Sequence, residues 1–207
     1  MRFIFETDKQ LTPIAIVEQK LSDNIQHDDY NCNSIAFLCS DNIKNLKNPL
    51  LISSIIWKSF AITQKFFLNN CKVDLIVFNN KECDRLKLSD GEKASVIIHE
   101  LGHIFNRNPQ IDKIPSLQDC LDKGLNYNNM EQRTKEEKNK DELYADSYVL
   151  KNGFKNELES CLIKSLNDDT YTKMTDSLKM RLNFIKSNNI NLKGERKKQG
   201  YTKRYNQ

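Results

Sequence analysis

The chain has 207 residues, of which 38% are hydrophobic and 29% charged. This balance excludes a disordered or fibrous protein, and the length predicts one globular domain with a core of its own. Six basic residues against Glu195 give residues 191–207 a charge of +5, which accounts for the net charge of +4. We therefore expect a single domain over residues 1–190 and a basic, disordered tail over residues 191–207.

Apolar runs separated by polar segments divide the first 78 residues into five predicted elements. Proline stands near the start of each predicted helix, where its fixed φ and its missing N–H are tolerated. β-Branched and aromatic side chains dominate the last predicted strand. The elements are a strand over residues 2–6, a helix over 12–23, a strand over 35–39, a helix over 49–68 and a strand over 72–78.

The next predicted helix covers residues 90–105, and its start can be located from the sequence. Ser89 followed by Glu92 has the spacing of a capping box, in which two side chains satisfy the free N–H groups of a helix N-terminus. Asn106 and Pro109 are residues that end a helix.

This helix contains the sequence His99-Glu100-Leu101-Gly102-His103, which includes two of the three histidines of the chain. Residues four apart lie on one face of a helix, so both imidazoles can bind one metal ion, with Glu100 beside it as a base. The flanking residues are apolar, which predicts a buried helix that would not carry unpartnered polar groups. Two ordinary core histidines are the alternative interpretation.

The rest of the chain is predicted to be mostly helical. Residues 106–137 are polar and contain two prolines, and we interpret them as a loop that includes at most a short helix. Helices are then predicted over residues 136–152, 155–166 and 171–187, and Gly153 fits the C-terminal end of the first.

A catalytic zinc site needs a third protein ligand and leaves its fourth position to water. A third histidine six residues after His103 is excluded, because that residue is Pro109. Glu142 is the best candidate, and Asp146 on the same helix face is placed to accept the spare N–H of a ligating histidine. The rival candidates for the third ligand are Asp146 itself, Glu137, Asp141 and His27.

His-Glu-Leu-Gly-His together with Glu-x-x-Ala-Asp at residues 142–146 resembles the motifs of the gluzincin metallopeptidases. The pattern looks most similar to the group of CAAX prenyl proteases and bacterial heat-shock membrane proteases, and it is also similar to ImmA/IrrE-type regulatory proteases. This resemblance covers about residues 89–185. It implies three ligands for Zn²⁺ and one general base, which are His99, His103 and Glu142 for the ion and Glu100 for the base.

A later segment extends the resemblance. Residues 175–182 resemble the Thr-His-Pro…Arg-Ile segment of the prenyl-protease group, although Asp176 stands where a histidine is usual and the proline is absent. Arg181 is then expected to orient a carboxylate or to bind substrate. The expected fold is α+β and zincin-like, with a small mixed sheet packed on the active-site helix and a mostly helical C-terminal half.

The predicted activity is zinc-dependent hydrolysis of peptide bonds by a metal-activated water, with Glu100 as general base. Candidates for a donor to the developing oxyanion are Tyr127, Tyr144, Tyr148 and Arg181, and no substrate-binding residue is singled out. One alternative is a regulatory protease of narrow specificity that acts on a repressor or partner protein. The other is a catalytically silent zinc-binding interaction module.

The expected partner is a peptide or protein substrate, and nucleic acid is not expected beyond a weak contact of the basic tail. No apolar run reaches the about 18 uncharged residues of a membrane-spanning helix, and the N-terminal residues lack the apolar core of a signal peptide. These features predict a cytoplasmic protein, in which reduced thiols are the default, although the even number of six cysteines is also compatible with disulfides. The oligomeric state is not predicted.

Overall fold

The structure is a computed structural model that describes residues 2–5, 13, 16–17, 34–39, 59–68, 71–106 and 134–188. The strands within these ranges are β1 (Arg2–Phe5), β2 (Ser34–Cys39), β3 (Ala61–Leu68) and β4 (Cys71–Phe78). The helices are α1 (Asn80–Arg85), α2 (Asp90–Phe105), α3 (Lys135–Lys151), α4 (Lys155–Leu166) and α5 (Thr175–Ser187), and a 3₁₀ helix (Asp169–Met174) precedes α5.

The strands form a mixed sheet in the order β1-β2-β4-β3. β1 pairs with β2 and β2 pairs with β4 in parallel, whereas β3 is antiparallel to β4. The β3–β4 register runs from Ala61 opposite Phe78 to Leu68 opposite Cys71. Among the described strands, β3 therefore lies at one end of the sheet, and it is also the strand that contacts α2 most extensively.

The predicted helix over residues 49–68 is wrong for its last part, because residues 61–68 form β3. This segment contains Ile62, Thr63, Phe66 and Phe67, and β-branched and aromatic residues favour strands. Two asparagines separate it from β4 in the sequence, which is a composition typical of hairpin connections. Residues 49–58 lie outside the described part of the chain.

Helix α2 begins and ends where the sequence predicts. The Ser89 hydroxyl accepts the Glu92 N–H, and the Glu92 carboxylate accepts the Ser89 N–H at 2.6 Å. The buried Glu92 carboxylate also accepts hydrogen bonds from Ser160 at 2.6 Å and from Lys164 at 2.7 Å, both on α4. The helix start is thus fixed to the neighbouring helix, and Ile97, Ile98 and Leu101 lie in the core.

The C-terminal helices complete the core beside α2. α3 ends at Lys151, and Gly153, two residues later, has a φ of 84°, the left-handed conformation that glycine adopts freely. α4 coincides with the predicted helix 155–166, whereas the predicted helix 171–187 is divided between the 3₁₀ helix and α5. Helix α1 is an element that the sequence interpretation missed. Buried residues from these helices include Leu150, Leu158 and Ile185.

The coarse fold prediction agrees with the structure. The described residues contain a small mixed sheet, and helices account for most of the regular structure, including all of it after residue 134. The finer assignment to a zincin-like fold stays a prediction.

Several predicted features fall outside the described residues. They include most of the predicted helix 12–23, of which Pro13, Ile16 and Val17 are helical, and the basic tail over 191–207.

Cys83 and Cys161 are buried free thiols. Among the helices that the structure describes, none has the length and apolar character to cross a membrane.

Helices α2 and α3 approach each other closely where they cross. A Cβ on Gly102 would lie 2.7 Å from the Ala145 Cα and 3.1 Å from its carbonyl oxygen. These are backbone atoms, so they cannot move aside as a flexible side chain would. Glycine at residue 102 therefore permits this helix spacing.

Replacing Gly102 with alanine should lower the free energy of unfolding by about 1–3 kcal/mol, because the added methyl group forces the two helices apart. Chemical denaturation of both proteins measures the difference. Gly91→Ala is the matched control in the same helix, since the nearest atom to its Cβ would belong to the flexible Glu157 side chain, at 3.2 Å. If both variants unfold at the same denaturant concentration, the close helix contact is contradicted.

Candidate metal centre

The two histidines of α2 point their Nε2 atoms at each other. Their spacing of four residues places them on one helix face, and the Nε2 atoms of His99 and His103 lie 3.1 Å apart. The rings are nearly perpendicular, at an interplanar angle of 88°. Both side chains are largely shielded from solvent, with exposures of 8% for His99 and 17% for His103. The face therefore presents two nitrogen donors directed at one point.

Glu100 completes a group that can hold a metal ion. Its carboxylate and the ring nitrogens of His99 and His103 include donor atoms that all lie within 4.8 Å of one another. The Glu100 residue is 7% exposed. Its Oε2 atom accepts a hydrogen bond of 2.6 Å from the Thr63 hydroxyl on β3.

Helix α3 brings a further carboxylate to the same point. Oε2 of Glu142 lies 3.4 Å from Nε2 of His99, and Oε1 lies 3.6 Å from Nε2 of His103. Zinc bonds of about 2.0–2.1 Å in a tetrahedral site would separate neighbouring ligand atoms by about 3.3 Å. The measured separations of 3.1, 3.4 and 3.6 Å fit that requirement. The structure thus brings together all three residues that the sequence predicts as ligands.

The predicted supporting carboxylate also lies where it was expected. Oδ1 of Asp146 is 2.9 Å from Nδ1 of His99, and Asp146 is fully buried. An N–H at Nδ1 that points to this carboxylate leaves the Nε2 lone pair of His99 free for a metal ion.

Asp141 lies behind the other imidazole. Its Oδ2 atom is 3.2 Å from Nδ1 of His103, without the alignment of a hydrogen bond, and its Oδ1 atom accepts a bond of 2.6 Å from the Asn106 amide. Asp141 and Asp146 were rival candidates for the third ligand, but both approach the Nδ1 side of the rings rather than the Nε2 side. This geometry favours Glu142 over both.

Of the two remaining rival ligands, Glu137 caps a helix and His27 is not described. Glu137 is exposed at the start of α3, where its carboxylate accepts the Thr134 N–H at 2.8 Å in a capping box. His27 lies outside the described residues.

Arg181 of α5 holds two of these carboxylates. Its Nε and Nη2 atoms donate to Asp146 at 2.9 and 2.7 Å, and its Nη1 atom lies 2.9 Å from Oε2 of Glu142. Its Nη2 atom also lies 3.2 Å from Nδ1 of His99. Of the two roles predicted for Arg181, orienting a carboxylate is the one that these contacts support.

The negative charge of the carboxylates around the two imidazoles exceeds the positive charge of the Arg181 guanidinium. Arg181 faces Glu142 and Asp146, and Glu100 and Asp141 add two more carboxylates. Burial and Arg181 lower the pKa of His99, but the hydrogen bonds that its ring donates to Asp146 and Glu142, with the negative charge of Asp146, outweigh them and raise it to about 9. Burial alone would raise the pKa of Glu142, whereas Arg181 and His99 hold it well below its usual range. The site therefore favours binding of a cation.

The candidates for the oxyanion donor have different surroundings. Tyr144 is 41% exposed, and the Tyr148 ring packs against Phe105 with 5.4 Å between centroids. The Arg181 guanidinium already pairs with the carboxylates of Asp146 and Glu142. Tyr127 lies outside the described residues. This geometry does not select one of the candidates.

Thr63 is a site residue that the sequence interpretation missed. The predicted helix over residues 49–68 includes Thr63 and does not indicate a contact between this segment and α2. The enrichment in β-branched and aromatic residues was the signal for a strand, but the sequence contains no signal for the contact with Glu100.

Comparisons of this chain with protein-family models, with curated proteins and with solved structures found no match. The residues and their geometry are therefore the basis on which a function is proposed. The resemblance to gluzincin peptidases stays a prediction from two short motifs.

Binding of Zn²⁺ should displace about one proton from the metal-free protein near neutral pH. His99 is protonated below its raised pKa of about 9, and a ligating imidazole must be neutral. Zinc affinity should therefore fall as the pH is lowered from 9. Titration calorimetry in buffers of different ionisation enthalpy measures the released proton.

Asp146→Asn is the matched variant for this measurement, because it removes a charge that raises the pKa of His99. It should release a smaller fraction of a proton at the same pH. Binding heats that do not depend on the buffer would contradict a protonated His99.

Proposed function

We propose that this protein is a zinc-dependent metallopeptidase that hydrolyses peptide bonds, with Glu100 as its general base. The observation that carries the proposal is the convergence of the His99 and His103 Nε2 atoms with the Glu142 carboxylate, within 3.1–3.6 Å. Glu100 lies next to these donors. The resemblance to gluzincin motifs supports the same assignment.

The donor set favours zinc over other common ions. Two imidazole nitrogens and one carboxylate oxygen are a ligand set of catalytic zinc sites, whereas Ca²⁺ and Mg²⁺ prefer oxygen ligands alone. His99, His103 and Glu142 would hold the ion. When bound, zinc polarises the substrate carbonyl and makes water at the site more acidic.

The residues of the chain supply orientation and proton transfer. Glu100 takes the proton of the attacking water and passes it to the leaving amine. Asp146 holds the imidazole of His99 through Nδ1, and Arg181 holds Asp146 and Glu142 in place. These contacts fix the ligands before the ion arrives, so little reorganisation is required.

Strand β3 favours a peptide as substrate. Within the described part of the chain, β3 is the outermost strand beside β4 and contacts α2, so an extended peptide that pairs with β3 would lie along the metal centre. Backbone pairing of this kind binds a chain of several residues and does not suit a small amide. A regulatory protease of narrow specificity would use the same arrangement with a different substrate.

A silent zinc-binding module differs from an enzyme in the role of Glu100. In a structural site Glu100 would be a fourth ligand, because such sites use four protein ligands. The hydrogen bond from Thr63 fixes Oε2 of Glu100 and leaves Oε1 for proton transfer or for the ion, so zinc retention by a Glu100 variant distinguishes the two roles.

Glu100→Gln should retain about one zinc per chain and lose hydrolysis by about 10²–10⁴-fold, because the amide cannot accept the proton of water. Metal analysis and cleavage of internally quenched peptides measure the two effects. Glu136→Gln, at an exposed position on α3, is the control and should leave both unchanged. Loss of zinc from Glu100→Gln would identify Glu100 as a ligand and favour the silent module.

Glu142→Ala should weaken zinc binding by about 100-fold or more, since even the loss of residues that only support ligands costs about 10–100-fold. Competition with a chromophoric chelator measures the affinity. Glu142→Gln is a second variant that keeps the side-chain volume beside Arg181, and circular dichroism verifies the fold of both. Unchanged affinity in both variants would move the third ligand to another residue.

A further inference from the structure

We propose that Thr63 is a positioning residue for the general base, an inference that rests on the proposed peptidase function. The Thr63 hydroxyl donates to Oε2 of Glu100 at 2.6 Å, within the range of a charge-assisted O–H···O⁻ bond. Its contact with the Glu100 carbonyl oxygen is longer, at 3.3 Å. Because a hydroxyl has one proton, the carboxylate is its principal acceptor.

The position of Thr63 in β3 explains why its side chain reaches α2. Thr63 is two residues from buried Ala61, so both lie on the same face of the strand. Thr63 pairs with Ile76 of β4, which is also completely buried. β3 is therefore paired with a buried residue of β4 at Thr63, the residue that contacts Glu100.

The hydrogen bond restricts how the Glu100 carboxylate can turn. A glutamate side chain has three rotatable bonds, whereas a β-branched threonine has a stiff χ1 angle and holds its hydroxyl in one direction. Among the described residues, Thr63 is the side chain that donates to this carboxylate. With Oε2 occupied, Oε1 is the oxygen left to accept the proton of the attacking water.

This arrangement assigns different tasks to the two oxygens of one carboxylate. Oε2 anchors the base to the sheet, and Oε1 carries out the proton transfer. A displaced base costs rate even when substrate binding is intact, because proton transfer requires hydrogen-bond distance to the water. Loss of the Thr63 hydroxyl should therefore reduce kcat more than it changes KM.

Thr63→Val tests this assignment, because valine keeps the shape and the β-branched side chain of threonine but lacks the hydroxyl. With the internally quenched peptide that the wild-type protein cleaves fastest, kcat should fall by about 10–100-fold. KM, zinc content and the denaturation midpoint should change little. Thr63→Ser restores the hydroxyl and should recover most of the lost kcat, and Thr170→Val is the control at an exposed threonine.

A double mutant distinguishes positioning from a general structural effect. If Thr63 acts through Glu100, adding Thr63→Val to Glu100→Gln should cause no further loss of rate. Equal kcat for Thr63→Val and wild type, or a serine variant no better than the valine variant, overturns the assignment and leaves the peptidase function intact. A wild-type protein that cleaves no faster than Glu100→Gln overturns the peptidase function and the role of Thr63 with it.

Discussion

The close crossing of α2 and α3 is the constraint on which the candidate site depends. Gly102 lies next to His103 in α2, and Ala145 lies between Glu142 and Asp146 in α3. Because residue 102 has no Cβ, the two helices can approach until backbone meets backbone. The carboxylates of Glu142 and Asp146 on α3 then lie 2.9–3.6 Å from the imidazole nitrogens. A wider helix spacing would move both carboxylates away from these nitrogens.

Charge balance is the second requirement of this arrangement. Burying several carboxylates costs free energy unless cations compensate them, and Arg181 compensates Asp146 and Glu142 only in part. Without an ion, protonated histidine supplies the missing positive charge, which is why the carboxylates raise the pKa of His99 to about 9. A bound divalent cation would replace that charge. The same carboxylates thus favour metal binding and orient the imidazoles that bind the metal.

Local patterns in the sequence predicted much of the fold and most of the site. The capping box of Ser89 and Glu92 and the spacing of His99 and His103 depend only on neighbouring residues, so α2 was predicted with its observed bounds. Glu142 and Asp146 are four residues apart and share one face of a helix, so the sequence predicts that both approach the histidines. The contacts of Thr63 and Asp141 depend on how separate elements pack, and no local pattern specifies them. The predicted helix is wrong over β3, where β-branched and aromatic residues favour a strand.

X-ray absorption spectroscopy at the zinc edge of the purified protein identifies the atoms bound to the ion. We expect two imidazole ligands together with oxygen donors, at about 2.0–2.2 Å. Sulfur ligands at about 2.3 Å, or a spectrum without the scattering of two imidazole rings, would contradict this ligand set.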